Sequence, residues 1–282
     1  MNPYLRNTLR TYAGPLVRFA SRGYIAGPEL ADAMQACQRY SRQGIASTIG
    51  YWNDDNDTPQ LVARTYSASM DAIAGEGLDC QLSIKAPALK FDQALVAGIV
   101  AKGKDSGIGV HFDSLGPQAA DRTFELVTRS AQNYARIGCT LPGRWRRSAC
   151  DAERVAALGV NVRVVKGQWI DPECPEMDLR QGYLAVIRRL AGRARHVAVA
   201  THDPLLAREA LSILRASGTP CVMELLLGLP LKAAMQVARD AGVAVRLYIP
   251  YGHSWFPYAL SQIRKNPRII GWMMRDTIFG RL

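Results

Sequence analysis

The chain lacks several features that would place it in a simple class. It has no run of the roughly 18 apolar residues that a membrane-spanning helix requires, although 48% of its 282 residues are hydrophobic. Residues 1–23 are basic and amphipathic and contain no unbroken apolar core of a secretory signal. The sequence therefore predicts a cytoplasmic protein with at most peripheral contact with the inner membrane.

Cysteine and histidine are few and scattered. The six cysteines form no C-x-x-C pair, and they are Cys37, Cys80, Cys139, Cys150, Cys174 and Cys221. The four histidines share no short spacing, and they are His111, His196, His202 and His253. A zinc site needs such ligands in close groups. These patterns predict reduced thiols and no metal site.

The chain also has no dense basic run, although its formal net charge is +11. Lysine and arginine alternate with acidic residues, and no RNA-binding signature is present. We therefore expect a basic, solvated surface and no nucleic-acid partner.

What the chain does contain is a repeated alternation of short apolar runs and amphipathic segments. About eight β-branched, apolar runs occur, at 44–52, 80–87, 108–114, 137–143, 160–169, 196–203, 221–228 and 243–252. Segments such as 117–134 and 204–218 carry apolar residues at three- and four-residue spacing, which is typical of amphipathic helices. Strands that alternate with helices in this way predict βαβ units and a parallel sheet.

A single (β/α)8 TIM-type barrel of the α/β class is the predicted fold. The strand count fits, the length fits, and no G-x-G-x-x-G follows the first strand as an open doubly wound sheet would favour. Residues 1–43 are predicted to form a helical extension, with 28–43 packing against the base or side of the barrel. The barrel itself is assigned to residues 44–282.

Polar residues near the ends of the predicted strands indicate a site, because barrel enzymes carry reactive groups at the carboxyl ends of their strands and the interior is expected to be apolar. They are Lys85, Asp113, Arg144, Arg163, Lys166, Thr201, His202, Asp203, Glu224, Arg246 and Tyr248. Any one of them is as readily a helix cap or half of a buried ion pair. Gly228 and Gly252, at the ends of the last two predicted strands, weakly indicate a phosphate site, and turns explain them equally well.

Five strings in this order, LSIKAP, VHFDS, VRVVKGQW, ATHDP and RLYIPYG, give the chain from about 44 to 267 a resemblance to the proline dehydrogenases. The resemblance implies FAD-dependent oxidation of L-proline, or of a proline-like cyclic secondary amine, to the imine by hydride transfer to flavin N5. It implies a catalytic set of Lys85, Asp113, Arg163 and Tyr248. By the same resemblance the cofactor-binding residues are Arg163, Lys166, Gly167, Trp169, Thr201, His202 and Glu224. The implied substrate-binding residues are Lys85, Asp113, Tyr248, Tyr258, Ser261 and Gln262.

The chain departs from that family at the substrate carboxylate. The family carries two adjacent arginines in its last helix, and Ser261 and Gln262 stand in their place. Asn53 stands where the family tends to have an acidic partner for them, and Pro142 where it has a flavin-contacting glutamine, with Arg144 as a substitute. Ser and Gln cannot supply the charge of a guanidinium. The departures favour a substrate whose carboxylate is absent or masked, such as a prolyl amide, ester or carrier-bound prolyl group.

Two questions remain open at this level. A non-catalytic barrel that binds a flavin or small ligand is the alternative to an enzyme, and retention of Lys85, Asp113, Arg163 and Tyr248 argues against it. The electron acceptor is equally a quinone, oxygen or a soluble carrier.

Overall fold

The computed structural model describes residues 26–252, and within them eight parallel strands close into a barrel in sequence order. The strands are β1 (Ala46–Tyr51), β2 (Cys80–Ile84), β3 (Val110–Phe112), β4 (Ile137–Pro142), β5 (Asn161–Val165), β6 (His196–Ala200), β7 (Cys221–Leu226) and β8 (Val245–Tyr251). Closure is made by β1 and β8, which pair from Ala46 with Arg246 to Tyr51 with Tyr251. The predicted (β/α)8 fold is confirmed.

Helices follow the strands, as a parallel barrel requires. They are α1 (Leu30–Ser41), α2 (Pro59–Glu76), α3 (Gln93–Asp105), α4 (Ala120–Asn133), α5 (Ser148–Ala157), α6 (Leu179–Leu190), α7 (Pro204–Ala216) and α8 (Lys232–Asp240), with 3-10 turns at Ala86–Leu89 and Pro117–Ala119. Side-chain caps start several of them. Thr58 accepts a hydrogen bond from the Leu61 amide, and Asp92 accepts from the first amides of α3.

Helix α1 lies along the side of the barrel, beside β1 and β8. Just before it, the Ala26 amide donates to the Pro250 carbonyl at 3.4 Å, and just after it the Ile45 amide donates to the Tyr40 carbonyl at 3.1 Å. The helix therefore runs from the carboxyl end of β8 to the start of β1. Segment 28–43 was expected to pack against the base or the side of the barrel, and the structure shows it at the side. The division at residues 43 and 44 stays a prediction.

The apolar core lies between the strands and the helices. Outward-facing strand residues such as Ile49, Leu82 and Val164 are fully buried there. The inward-facing positions are largely polar, and they include Thr48, Ser83, His111, Thr140, Arg163 and Glu224, all of which are buried. The expectation of an apolar interior was therefore wrong for this barrel. Buried polar groups must be hydrogen-bonded, and here they bond to one another.

Candidate active site

Arg163 is the centre of the polar interior. It lies in the middle of β5, and only 4% of its side chain is exposed. Its Nε and Nη2 donate to the two carboxylate oxygens of Glu224, at 2.8 and 2.7 Å. Its Nη1 donates to Oδ1 of Asp113 at 2.8 Å. The guanidinium is thus fixed between two carboxylates that come from opposite sides of the barrel.

The electrostatics keep this cluster ionised. Burial by itself lowers the pKa of Arg163, but the charges of Glu224 and Asp113 raise it above its usual value. Burial likewise raises the pKa of Glu224, but Arg163 holds it below the usual range of a glutamate. Each ion stabilises the charged form of the other, which is how a buried pair persists without neutralising.

Asp113 collects three donors directly after β3. Besides Arg163, Ser83 Oγ donates to its Oδ1 at 2.7 Å, and Tyr248 Oη donates to its Oδ2 at 2.8 Å. The Arg163 guanidinium lies 5.0 Å from the centroid of the Tyr248 ring. Burial, followed by the Asp113 charge, raises the pKa of Tyr248, so its hydroxyl stays protonated and donates.

Gly50 makes room for Tyr248. A Cβ at Gly50, in β1, would lie 2.2 Å from Tyr248 Oη and 2.7 Å from the ring carbon that bears it. Tyr248, on the neighbouring strand β8, reaches Asp113 only because β1 has no side chain at Gly50. Gly50 is therefore part of the site, although it contributes no chemistry of its own.

Lys85 is a half-buried cation at the carboxyl end of β2. Its ammonium donates to the Tyr51 carbonyl and lies 5.9 Å from the centroid of the Trp52 ring. Its backbone amide donates to Tyr66 Oη at 3.0 Å, which fixes the start of the following turn. Burial lowers the pKa of Lys85 to about 8, against the opposing charge of Asp113. Lys85 has no salt bridge within residues 26–252, so its charge is available to an anionic group.

The site also contains residues that the sequence reasoning missed. Thr48 Oγ1 donates to Glu224 Oε1 at 2.8 Å, and Gln81 Nε2 donates to Thr48 Oγ1 at 3.0 Å. With Ser83 and Gly50 they complete the network around Arg163. A signal was present, because Gln81, Ser83 and Lys85 alternate along β2 and so face the same side of the sheet.

The loop after β5 holds three of the predicted cofactor residues. Lys166 Nζ lies 3.3 Å from Asp203 Oδ2, and both side chains are substantially exposed. Gly167 adopts φ +95°, and a Cβ there would lie 2.8 Å from Cβ of Pro142. Trp169 is exposed at the surface, while its carbonyl accepts from Nε1 of Trp145 at 3.0 Å. Gly167 is required both by its conformation and by this close approach.

Thr201 and His202 follow β6. Thr201 Oγ1 accepts from the Asp203 amide at 3.2 Å. His202 Nε2 accepts from the Leu226 amide at 3.0 Å, which assigns the ring proton to Nδ1, 3.1 Å from the Pro230 carbonyl. Burial lowers the pKa of His202 and favours this neutral form. Both ring nitrogens are hydrogen-bonded to the backbone, at the end of β7 and in the loop after it. The ring face is therefore the part left for the predicted cofactor contact.

Two placements differ from the sequence reasoning. Glu224 lies inside the barrel, where its carboxylate bonds to Arg163 and Thr48, and its contact with a cofactor stays a prediction. Arg246, placed at a strand end with the site residues, is the second residue of β8 and lies at the opposite end of the barrel. It donates to the Ser47 carbonyl and to Asp79 Oδ1, the latter at 2.8 Å. The assignment of Arg246 to the carboxyl end was therefore wrong.

The predicted substrate residues Tyr258, Ser261 and Gln262 lie outside the described residues. Within residues 26–252, no group of three or more His, Cys, Asp or Glu side chains is arranged to hold a metal ion. No helix in that range is long and apolar enough to cross a membrane.

No protein-family model matches the chain. Curated proteins match it over nearly its whole length. Proline dehydrogenase 1 of Bacillus subtilis subsp. natto is 24% identical, and the match covers 93% of this chain and 91% of the relative. Proline dehydrogenase of Deinococcus radiodurans is 24% identical, with 91% and 89% covered. The chain is a relative of the proline dehydrogenases.

Solved structures with the same fold are proline utilization A (PutA) proteins. PutA from Bdellovibrio bacteriovorus, inactivated by N-propargylglycine, matches with a TM-score of 0.76 and 15% identity over 93% of this chain. PutA from Corynebacterium freiburgense matches with a TM-score of 0.67 and 16% identity over 98%. This relative of the proline dehydrogenases spans about a third of those chains, 33% and 34%. At this identity the likeness shows the fold.

Proposed function

We propose that the protein is an FAD-dependent oxidoreductase acting on CH–NH donors, which oxidises L-proline or a proline-like cyclic secondary amine to the imine. The observation that carries this proposal is the hydrogen-bonded cluster of Asp113, Arg163 and Tyr248, with the Lys85 ammonium near enough for the charge of Asp113 to act on its pKa. The curated relatives named proline dehydrogenase support it. The electrons would then pass to a quinone, oxygen or a soluble carrier.

The residues at the carboxyl ends of β5 and β6 fit FAD in their chemistry. Lys166 offers an exposed cation to a phosphate, Trp169 offers an exposed aromatic surface, and Gly167 lets the backbone between them pass close to Pro142. Asp203 opposes this fit, since its carboxylate already accepts from the first amides of α7, which a phosphate would otherwise use. The chemistry that FAD supplies when bound is acceptance of a hydride at N5.

The side chains of the interior divide the work on the substrate. Arg163 has its donors committed to Asp113 and Glu224, so it is a fixed charge and not a clamp that moves onto the substrate. Lys85 is the cation that a substrate carboxylate or carbonyl can reach. The Tyr248 ring, anchored by its hydroxyl, forms a rigid wall for an apolar ring. Together they position the donor carbon and keep the surrounding charge constant.

The identity of the substrate turns on its carboxylate. Ser261 and Gln262 provide no positive charge, so a proline derivative with a masked or absent carboxylate is the narrower form of the proposal. The Lys85 ammonium is then required for free proline and dispensable for an uncharged derivative.

The test is anaerobic reduction of the bound flavin, followed by its visible absorption, with excess L-proline and then with prolinamide. Bleaching by L-proline that is lost in Lys85→Met establishes the amino acid as substrate. Bleaching by prolinamide alone establishes the masked form. A bound flavin that neither compound bleaches, alongside intact folding, would refute oxidation and leave a flavin-binding barrel.

A further inference from the structure

The amino end of the barrel contains a polar cavity of about 330 Å³, which shares Gln81 and Glu224 with the network around Arg163 and lies at the opposite end of the barrel from Lys85. The buried residues His111 and Glu224 line it, together with six further polar residues, which are Gln81, Arg136, Asn161, Arg195, His196 and Arg246. Each of these six lies at the start of its strand or just before it; Asn161 and His196, for example, are the first residues of β5 and β6. We call this space the basal cavity.

The basal cavity exists because small side chains leave the lower interior unfilled. In TIM barrels this volume is ordinarily packed with layers of branched apolar residues. Here Gly109 and Ala198 line it instead, and Val222 is a branched apolar residue among them. At its inner end lies Glu224, whose carboxylate faces Arg163 and Thr48. The cavity and the candidate active site therefore lie on opposite sides of one buried ion pair.

The charges around the basal cavity are not balanced within the part of the chain that the structure describes. Arg246 is paired with Asp79. Arg195 donates one N–H to the Ala135 carbonyl at 2.7 Å, and Arg136 donates one to the Gly107 carbonyl. Neither of these two guanidinium groups has a carboxylate partner among residues 26–252. Both keep further N–H donors for a diffusible group.

The pKa values of the two histidines that line the cavity are both lowered, by burial and by the nearby arginine charges. Burial, then the charges of Arg246 and Arg195, lowers the pKa of His196 despite the opposing charge of Glu224. Burial, then Arg163 and Arg246, lowers the pKa of His111. Neutral imidazoles at this end of the barrel offer hydrogen bonds without adding to the charge.

We propose that the basal cavity binds a small multivalent oxyanion, of the phosphate or short dicarboxylate class. Arg136 and Arg195 supply planar donors that match oxyanion geometry, and Asn161 and His196 supply neutral hydrogen bonds at the mouth. The volume is at the lower limit of ordinary small-ligand sites, which fits an anion of a few heavy atoms. The site is separated from the candidate active site by the Arg163–Glu224 ion pair.

The experiment is calorimetric titration of the purified protein with inorganic phosphate and, separately, with malonate, at an ionic strength held constant with sodium chloride. We expect saturable binding with a Kd of about 1 mM or tighter for at least one of the two anions. The tighter ligand assigns the class, phosphate or dicarboxylate.

Three variants locate the site. Arg136→Gln/Arg195→Gln should weaken binding about tenfold or more, which equals about 1.4 kcal/mol. Arg136→Lys/Arg195→Lys keeps the charge and should restore part of the affinity. Arg208→Gln removes the same kind of exposed charge from α7, away from the cavity, and should leave binding unchanged.

The proposal is overturned by the absence of saturable binding of either anion, or by an equal loss of affinity in Arg208→Gln. Both results are read without any oxidation assay, so they stand apart from the proposed enzymatic function. Circular dichroism of each variant confirms that the exposed substitutions leave the fold intact.

Discussion

The two ends of the barrel use arginine in opposite ways. In the interior, Arg163 donates to Glu224 and Asp113 and is almost completely removed from solvent. At the amino end, Arg136 and Arg195 are exposed and bond only to backbone carbonyls among the described residues. One guanidinium is locked by carboxylates, and the other two are held loosely at a rim.

The difference shows which arginines are held by the folded protein itself and which stay available to a ligand. A cation that is buried with its counter-ions costs desolvation energy, and the geometry must be satisfied in full for the pair to persist. A cation at a rim keeps its water, costs little and has weak partners. Substitutions at the two ends should therefore differ in what they change: stability in the interior, and binding at the rim.

The largest expected effect is the removal of Glu224. Glu224→Ala leaves Arg163 buried and half unpaired, and breaking such a pair typically costs about 3–5 kcal/mol of unfolding free energy. Glu224→Gln keeps two polar contacts and should cost less. Urea denaturation measures both values.

The matched control is Glu209→Gln, which removes a carboxylate from exposed pairs with Arg180 and Arg188. It should cost less than about 1 kcal/mol. A Glu224→Ala variant that unfolds within the same range as this control would show that the interior network contributes no more than a surface pair.

The next effect concerns the space beneath Tyr248. Gly50→Ala forces the tyrosine ring to move, and overpacking of this kind costs about 1–3 kcal/mol. Gly98→Ala is the control, because an added Cβ in the exposed middle of α3 meets nothing within 4 Å. That substitution should stabilise the protein by about 0.5–1 kcal/mol. Thermal unfolding with opposite signs for the two glycines is the expected result.

A smaller effect is expected from Tyr248→Phe. It removes one of three donors to Asp113 and leaves Ser83 and Arg163 in place. A hydrogen bond to a charged group contributes about 1.5–3 kcal/mol, and the remaining donors should hold the loss at the lower end. Tyr183→Phe, which removes a hydroxyl from the Val164 carbonyl outside the site, is the comparison. Flavin reduction should slow in Tyr248→Phe alone, and equal slowing in both would contradict the role assigned to Tyr248.

The last prediction is a pH dependence that arises from Lys85. Its pKa is about 8 in the folded protein, and about 10.4 in an unfolded chain. Between these two values the unfolded chain binds more protons, so stability should rise with pH through this window as the folded lysine loses its charge. Lys85→Met should lack that rise. Urea midpoints measured from pH 7 to about 10.5 in both proteins test it, and parallel curves would mean that burial does not perturb Lys85.

Sequence reasoning reached the fold because the strand signal is local. Each run, such as 221–228 around β7, is mostly apolar for about the length of one strand and is bounded by turn residues. The segment at 28–43 likewise contains α1. These features depend on neighbours in the sequence, and the structure confirms them.

The errors concern positions that only the closed barrel defines. Arg246 was assigned to the end of the run at 243–252, but the strand within that run begins at Val245, and Arg246 is its second residue. Arg163 and Glu224 are 61 residues apart and meet because both side chains point into the barrel from β5 and β7, the two strands that flank β6. No local pattern shows which polar side chain will find which partner.

Barrel closure also sets an order of events during synthesis. Strand β1 is made early, but the edge that pairs with β8 stays open until Tyr251 has left the ribosome. At about 5–20 residues per second, that wait is on the order of 10–40 s. Tyr251 then bonds to Ser69, 182 residues earlier, at 2.6 Å. Every nascent chain therefore carries an unpaired strand edge for many seconds, and cellular yield should depend on the chaperones that shield it.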